Sequence, residues 1–146
     1  MRVTVFVGLL LCASVSRAAD EQTQVTALQG TKRLTFEGGL ATQAEGLTLA
    51  LLGNCAADGG DRAREYWDRS LKGDHVRVRY ARPRLFTLTG EQRNVWVDEI
   101  VVSVSPERAE PTYVVVRKGN EYHWYSKYDH ETLSQFQKFV AKFPRE

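Results

Sequence analysis

Apolar and polar residues alternate with a period of two along much of the second half of the chain, which is typical of β-strands with one buried face. In residues 75–80 this alternation separates two faces. Apolar Val76, Val78 and Tyr80 share one face, and basic His75, Arg77 and Arg79 share the other. Pro83 has no N–H to donate to a neighbouring strand, so it predicts an edge, a bend or the end of this strand.

Residues 95–126 predict further strands. Between residues 95 and 104 the apolar positions move from odd to even numbers across Asp98-Glu99. A phase change of one residue inside a strand indicates a β-bulge. Residues 113–117 and 121–126 flank Lys118-Gly119-Asn120, whose composition predicts the turn of a hairpin.

The remaining patterns predict two more strands and two helices. Residues 33–37 alternate, and the nearly continuous apolar run 47–52 indicates a strand that is covered on both faces. Asp61 is the predicted N-cap of a helix of about eleven residues that ends at Lys72-Gly73. Asp129 is the predicted N-cap of a final helix. That helix places Leu133, Phe136, Val140 and Phe143 on one face.

These elements predict an α+β domain with a mostly antiparallel, curled sheet of about five to seven strands and two amphipathic helices. The predicted turns are too short for the crossovers that parallel strands require. Helix packing on one face of the sheet is the simplest arrangement. A small β-barrel with flanking helices is the alternative.

The first 18 residues resemble a secretory signal peptide, with Arg2 near the start, an apolar run of 13 residues and a small Ala18 before the expected cut. The apolar run is shorter than the ~20 residues that a spanning helix needs. We therefore expect a secreted or periplasmic protein with a signal peptide (1–18), a flexible leader (19–31) that contains at most a short strand at 25–28, and a single α+β domain (32–146).

Removal of the signal changes the charge of the protein. The full chain has 20 basic and 18 acidic residues, but Arg2 and Arg17 leave with the signal, so the remaining chain has 18 of each. A net charge near zero gives no support for nucleic acid as a partner, and any electrostatic binding must come from a local patch. Only Cys55 remains of the two cysteines, which excludes an internal disulfide.

The strongest candidate for a binding site is a basic and aromatic surface. Arg77 and Arg79 are about 7 Å apart on one strand face, and Arg82 and Arg84 follow beyond Pro83. Guanidinium groups in such a cluster can bind phosphate, sulfate or carboxylate through paired hydrogen bonds. The opposing interpretation is an ordinary solvated strand face that is neutralised by acids such as Asp98, Glu99 and Glu107.

Aromatic residues in 121–128 extend this hypothesis. Tyr122 and Trp124 point to one side of their strand, and His123 and Tyr125 point to the other. If one pair is buried, the other can form an exposed platform. The sequence thus predicts a ligand surface that includes Arg77, Arg79, Arg82, Arg84, His123 and Tyr125, with burial under the C-terminal helix as the competing explanation.

A catalytic alternative is a thiol-dependent hydrolase. It would use Cys55 as nucleophile, His75 as base and Asp74 to orient the imidazole. His123, Asp129 and His130 lack a recognised metal-ligand spacing, so we expect neither a metal nor another cofactor. The sequence therefore favours an exported, non-catalytic binding or interaction module whose partner is a protein, peptide or glycan.

Overall fold

The computed structural model describes residues 23–53, 56–57, 62–88, 93–104, 113–127 and 129–143. They form three helices, six longer strands and one strand of two residues. In chain order these are β1 (Gln24–Gln29), β2 (Lys32–Phe36), α1 (Gly38–Gly53), β3 (Ala56–Ala57), α2 (Ala63–Lys72), β4 (His75–Leu88), β5 (Arg93–Ser103), β6 (Val114–Lys118), β7 (Glu121–Lys127) and α3 (His130–Val140). The predicted signal peptide and Asp61 lie outside the described residues.

The strands form one open sheet in the order β2-β1-β4-β5-β6-β7-β3, and all neighbouring strands are antiparallel. The predicted α+β class with a mostly antiparallel sheet is confirmed. The barrel alternative is not formed, because β2 and β3 are the two edge strands and do not pair with each other. The predicted hairpin is β6–β7, in which Lys118 is opposite Glu121 and Gly119 turns the chain with a φ of 56°.

A register shift separates two paired stretches of β4 and β5. Arg79 is opposite Glu99 and Arg84 is opposite Val97, so four residues of β4 face one residue of β5 between these pairs. The shift coincides with the phase change that the sequence indicates at Asp98-Glu99. Pro83 lies in the irregular stretch of β4, where no ladder hydrogen bond from its nitrogen is needed.

The predicted strand over residues 47–52 is wrong, because these residues belong to α1. The buried positions of α1 are Ala44, Thr48, Leu51 and Leu52, a spacing that gives one helix face. Leu47 and Leu49 also pack partly against the core, which makes the sequence apolar on more than one side and hides the helical period. The described residues therefore form three helices where the sequence indicated two.

The predicted flexible leader needs a correction over residues 24–29, which form β1 between β2 and β4. Val25 and Ala27 of this strand are buried, and the side-chain amide of Gln29 donates to the Val140 carbonyl oxygen at 3.2 Å. Gln24 and Thr26, which gave this segment its polar composition, alternate with the buried residues, as expected for a strand with one buried face. The ordered domain consequently begins before residue 32.

Helices cover both faces of the sheet, so the simplest predicted packing on one face is incomplete. On the first face, here called the α1/α3 face, these two helices pack on the larger core. Its strand residues include Val25, Val76, Val78, Ile100, Val102, Val114 and Val116. On the opposite face, the α2 face, Trp67 packs with Val101 and Val115.

The N-termini of α3 and α2 are capped differently. The Asp129 carboxylate accepts a hydrogen bond from the Thr132 backbone N–H at 3.1 Å, which confirms the predicted N-cap of α3. In the described part of α2, Arg62 is the N-cap residue and makes no side-chain cap bond. None of the described helices has the length and apolar character required to cross a bilayer.

Candidate functional site

A groove of about 180 Å³ lies on the α2 face over β1, β2 and β4. α2 contacts β5, β6 and β7, so it lies beside this groove. The polar lining of the groove comes from three strands, and we call the site the arginine groove. Its polar side chains are Gln24, Thr26, Arg33, His75, Arg77 and Arg79. Among the described residues, the lining contains three arginines and no carboxylate.

Sheet register explains why these side chains converge. Arg33 and His75 are both opposite Leu28 of β1, so the three residues form one row across the sheet. Thr26 is opposite Arg77 in the next row of the α2 face. The alternation in residues 75–80 correctly predicted that Arg77 and Arg79 share a face. Arg33 was missed, because the alternation within β2 does not show that β4 lies two strands away in the sheet, beyond β1.

One buried carboxylate, that of Glu99, contacts two arginines of the groove and a third arginine from β6. Glu99 has no exposed surface, and its two oxygens contact three guanidinium groups. Arg77 donates to Glu99 Oε1, Arg79 Nε lies 3.5 Å from the same oxygen, and Arg117 Nη2 donates to Oε2 at 2.6 Å. The sequence correctly identified Glu99 as a neutralising acid. It did not identify Arg117, which comes from β6.

One carboxylate does not balance three guanidinium groups. The cluster of Glu99 with Arg77, Arg79 and Arg117 carries a formal excess of two positive charges, before Arg33 is counted. The Arg79 side chain is 51% exposed, whereas Glu99 is 0% exposed, so positive charge reaches solvent and negative charge does not. The Arg117 guanidinium also lies 5.6 Å from the centroid of the Trp67 ring, which fixes it against α2.

His75 is a buried wall of the groove, and its ring faces the end of α2. Its Nδ1 lies 2.8 Å from the Gly73 carbonyl oxygen, so the neutral ring donates its proton there. Burial lowers the pKa of His75 below its ordinary value, and the positive charge of Arg77 lowers it further. The imidazole is therefore neutral at pH 7, and the arginines supply the positive charge.

Arg82 and Arg84 do not extend the cluster as predicted. Arg84 Nη1 lies 3.5 Å from Glu45 of α1, and its guanidinium lies 4.7 Å from the centroid of the Tyr80 ring. These contacts place Arg84 on the α1/α3 side of the sheet. Arg82 is exposed within the irregular stretch of β4 that separates the two paired segments.

The predicted aromatic part of the surface is not present. Tyr125 has no exposed surface and belongs to the core of the α1/α3 face, and His123 is exposed. They are opposite Val114 and Val116 of β6, so their strand positions are on the sheet face away from the groove. Tyr125 shares this core with Phe136 and Phe139 of α3, which agrees with the competing explanation of burial under the C-terminal helix. The other pair, Tyr122 and Trp124, is half-buried next to α2.

The residues of the thiol hydrolase hypothesis are only partly described. Cys55 lies outside the described residues, so a pair of its thiol with His75 stays a prediction. Asp74 Oδ1 accepts a hydrogen bond from the Gly30 N–H at 2.7 Å, and the Nδ1 proton of His75 goes to Gly73. Asp74 therefore does not orient the imidazole through Nδ1. Within the described ranges, no group of three His, Cys, Asp or Glu residues can hold a metal ion.

Chemically, the described lining of the arginine groove offers guanidinium, hydroxyl and amide donors that suit an anion. Comparison with protein-family models, curated proteins and solved structures gives no match.

Proposed function

We propose that this chain is an exported, non-catalytic binding module that captures an anionic group in the arginine groove. The observation that carries the proposal is a described lining with three arginines and no carboxylate, over a buried Glu99 that keeps two of the arginines in place. The predicted signal peptide supports a secreted or periplasmic location for this activity.

The guanidinium groups of the groove are held in place before a ligand binds, unlike arginines on an ordinary solvated strand face. A free arginine side chain loses rotamer entropy when it binds, and that loss is smaller when its guanidinium is already fixed. Arg77 is fixed on Glu99, and Arg79 is close to the same oxygen with about half of its side chain still exposed. A phosphate, sulfate or carboxylate can then accept hydrogen bonds from the unused N–H groups.

Neighbouring polar groups complete the site. Thr26 and Gln24 lie on the strand next to the arginines and can donate a hydroxyl and an amide N–H to the same anion. Leu28 forms an apolar floor between Arg33 and His75. The lower polarity of such a floor strengthens the attraction between the guanidinium groups and an anion.

The proposal is tested by NMR titration of the protein with inorganic phosphate, sulfate and acetate, following backbone amide shifts. We expect the largest shifts at Thr26, Arg33 and Arg79. The change Arg79→Gln should weaken binding about tenfold, because it removes a charge-assisted hydrogen bond worth about 1.5 kcal/mol. Glu99 retains Arg77 and Arg117 in this variant, so the fold should be preserved.

The matched control is Arg64→Gln, which removes the same charge from an exposed position on α2. Its phosphate affinity should equal that of the unchanged protein. Equal weakening by both substitutions would mean that binding follows overall charge, and the proposal of a specific groove would be rejected. Shifts scattered over the whole surface would lead to the same rejection.

A further inference from the structure

Two large apolar side chains lie side by side in solvent on the long β4–β5 hairpin. Leu85 is 49% exposed and Trp96 is 48% exposed, and they are directly opposite each other in the ladder. Among the described residues, one other large apolar side chain is similarly exposed, Leu40 on α1. A cross-strand pair of this kind gives a continuous apolar patch, unlike a single exposed residue.

The patch lies on a part of the hairpin that extends past its neighbouring strands. β1 pairs with β4 only over residues 75–79, and β6 pairs with β5 only over residues 99–102. Within the described part of the chain, residues 84–88 and 93–97 pair with each other alone, and we call them the hairpin arm. One face of the arm joins the larger core through Phe86, Leu88, Val95 and Val97.

Alternation along the arm places Leu85 and Trp96 on its other face, which is the α2 face of the sheet. The arginine groove opens on the same face. Trp96 and Glu99 are three residues apart on β5, a distance of about 10 Å along a strand. Lys118 Nζ lies 6.0 Å from the centroid of the Trp96 ring and adds another positive charge beside the patch.

We propose that the arginine groove and the hairpin arm together bind an acidic segment of another polypeptide. A carboxylate of the segment enters the groove, and a large apolar side chain a few residues away packs on Leu85 and Trp96. This inference rests on the proposed function, because the groove must first bind an anion. Charge complementarity selects an acidic partner, and the apolar pair selects one that also has a side chain to bury.

A polypeptide segment fits this surface better than a membrane. The groove is concave and lies beside α2, so a projecting chain can enter it. A bilayer surface is flat, and it would contact the hairpin arm without filling the groove. A polyanion without apolar groups would leave Leu85 and Trp96 exposed, whereas a polypeptide with a large apolar side chain can bury them.

The test uses two synthetic peptides of equal length and charge. The first has two aspartates, a Gly-Ser spacer and then Leu-Phe, and the second has Ser-Ser in place of Leu-Phe. We expect the full-length protein to bind the first peptide about tenfold more tightly, as measured by fluorescence anisotropy of a labelled peptide. The substitution Trp96→Thr should remove this preference and preserve the strand, because Thr is a good strand residue.

Leu40→Gln is the matched control, because it removes an equally exposed leucine from the other side of the sheet. It should leave the preference unchanged. Equal binding of both peptides would overturn the inference while the anion-binding function stands. If the unchanged protein did not bind phosphate in the NMR titration, the proposed function itself would be rejected. Tight binding to vesicles rich in phosphatidylglycerol that depends on Trp96, with neither peptide bound, would show that the surface serves a membrane and would also overturn the inference.

Discussion

Glu99 is the residue on which the arrangement of the groove depends. A fully buried carboxylate is unfavourable unless it is paired, and here three guanidinium groups from β4 and β6 surround it. The same contacts fix arginines that would otherwise sample many rotamers. A single residue thus both satisfies its own charge and determines where the positive charge of the groove lies.

We predict that Glu99→Gln lowers the free energy of unfolding by about 2 kcal/mol. Removing one partner of a buried ion pair costs about 3 to 5 kcal/mol, but these arginines are partly exposed and water offsets some of the loss. Urea unfolding followed by circular dichroism measures the change. Glu65→Gln, at an exposed position of α2, is the control and should have little effect.

The same measurement on a double variant tests whether the residues act as one cluster. Arg117→Gln alone should also destabilise the protein, because it leaves Glu99 with fewer partners. The double variant with Glu99→Gln should cost less than the sum of the two single changes. Strict additivity would show that Arg117 and Glu99 do not interact in solution.

At the scale of elements, sequence patterns predicted those structures whose signal is local. The β6–β7 turn, the phase change at Asp98-Glu99 and the α3 cap each depend on residues within one turn or strand. The strand predicted over residues 47–52 was wrong because a short run of five apolar residues and Thr48 fits a buried strand and a buried helix segment equally well. Only the packing of Ala44 and Thr48 in the core identifies the helix face.

The candidate site was less predictable for a related reason. Period-two alternation correctly grouped Arg77 with Arg79, since both lie on one strand. It could not decide which face of the sheet His123 and Tyr125 share, because that depends on the register between β6 and β7 and on the strand order. Arg33 and Arg117 were missed for the same reason, as they come from other strands.

The helical assignment of residues 38–53 leads to a prediction about Gly46. This glycine is exposed in the interior of α1, and an added Cβ would meet no atom within 4 Å. Gly46→Ala should therefore raise the free energy of unfolding by about 0.5 to 1 kcal/mol, because alanine favours the helix and restricts the unfolded chain. Thermal or urea unfolding measures the change.

Gly119→Ala is the matched comparison and should have the opposite sign. Gly119 has a φ of 56°, where a Cβ is unfavourable by about 1 kcal/mol. If Gly46→Ala also destabilised the protein by a similar amount, residues around Gly46 would not be in an exposed helix interior.

At the scale of the whole molecule, both faces of the central strands are covered. Val101 and Val115 pack towards α2, while Ile100, Val102, Val114 and Val116 pack towards the other layer. This explains the continuous valine runs of β5 and β6, which are typical of strands buried on two faces. α2 packs mainly on the β5–β7 side of the sheet, and the groove occupies the β1–β4 side of the same face. The arginine groove is thus a consequence of the uneven covering of one face of the sheet.

The position of β1 inside this sheet leads to the last prediction. β1 pairs with both β2 and β4, so its removal would leave the buried side chains Phe36 and Val78 without Val25 beside them. A protein that begins at residue 32 should therefore lose cooperative unfolding, whereas one that begins at residue 19 should retain it. Far-UV circular dichroism during urea titration distinguishes the two. If the shorter protein unfolds cooperatively with an unchanged midpoint, β1 contributes nothing to the core, and the leader predicted from the sequence extends to residue 31 after all.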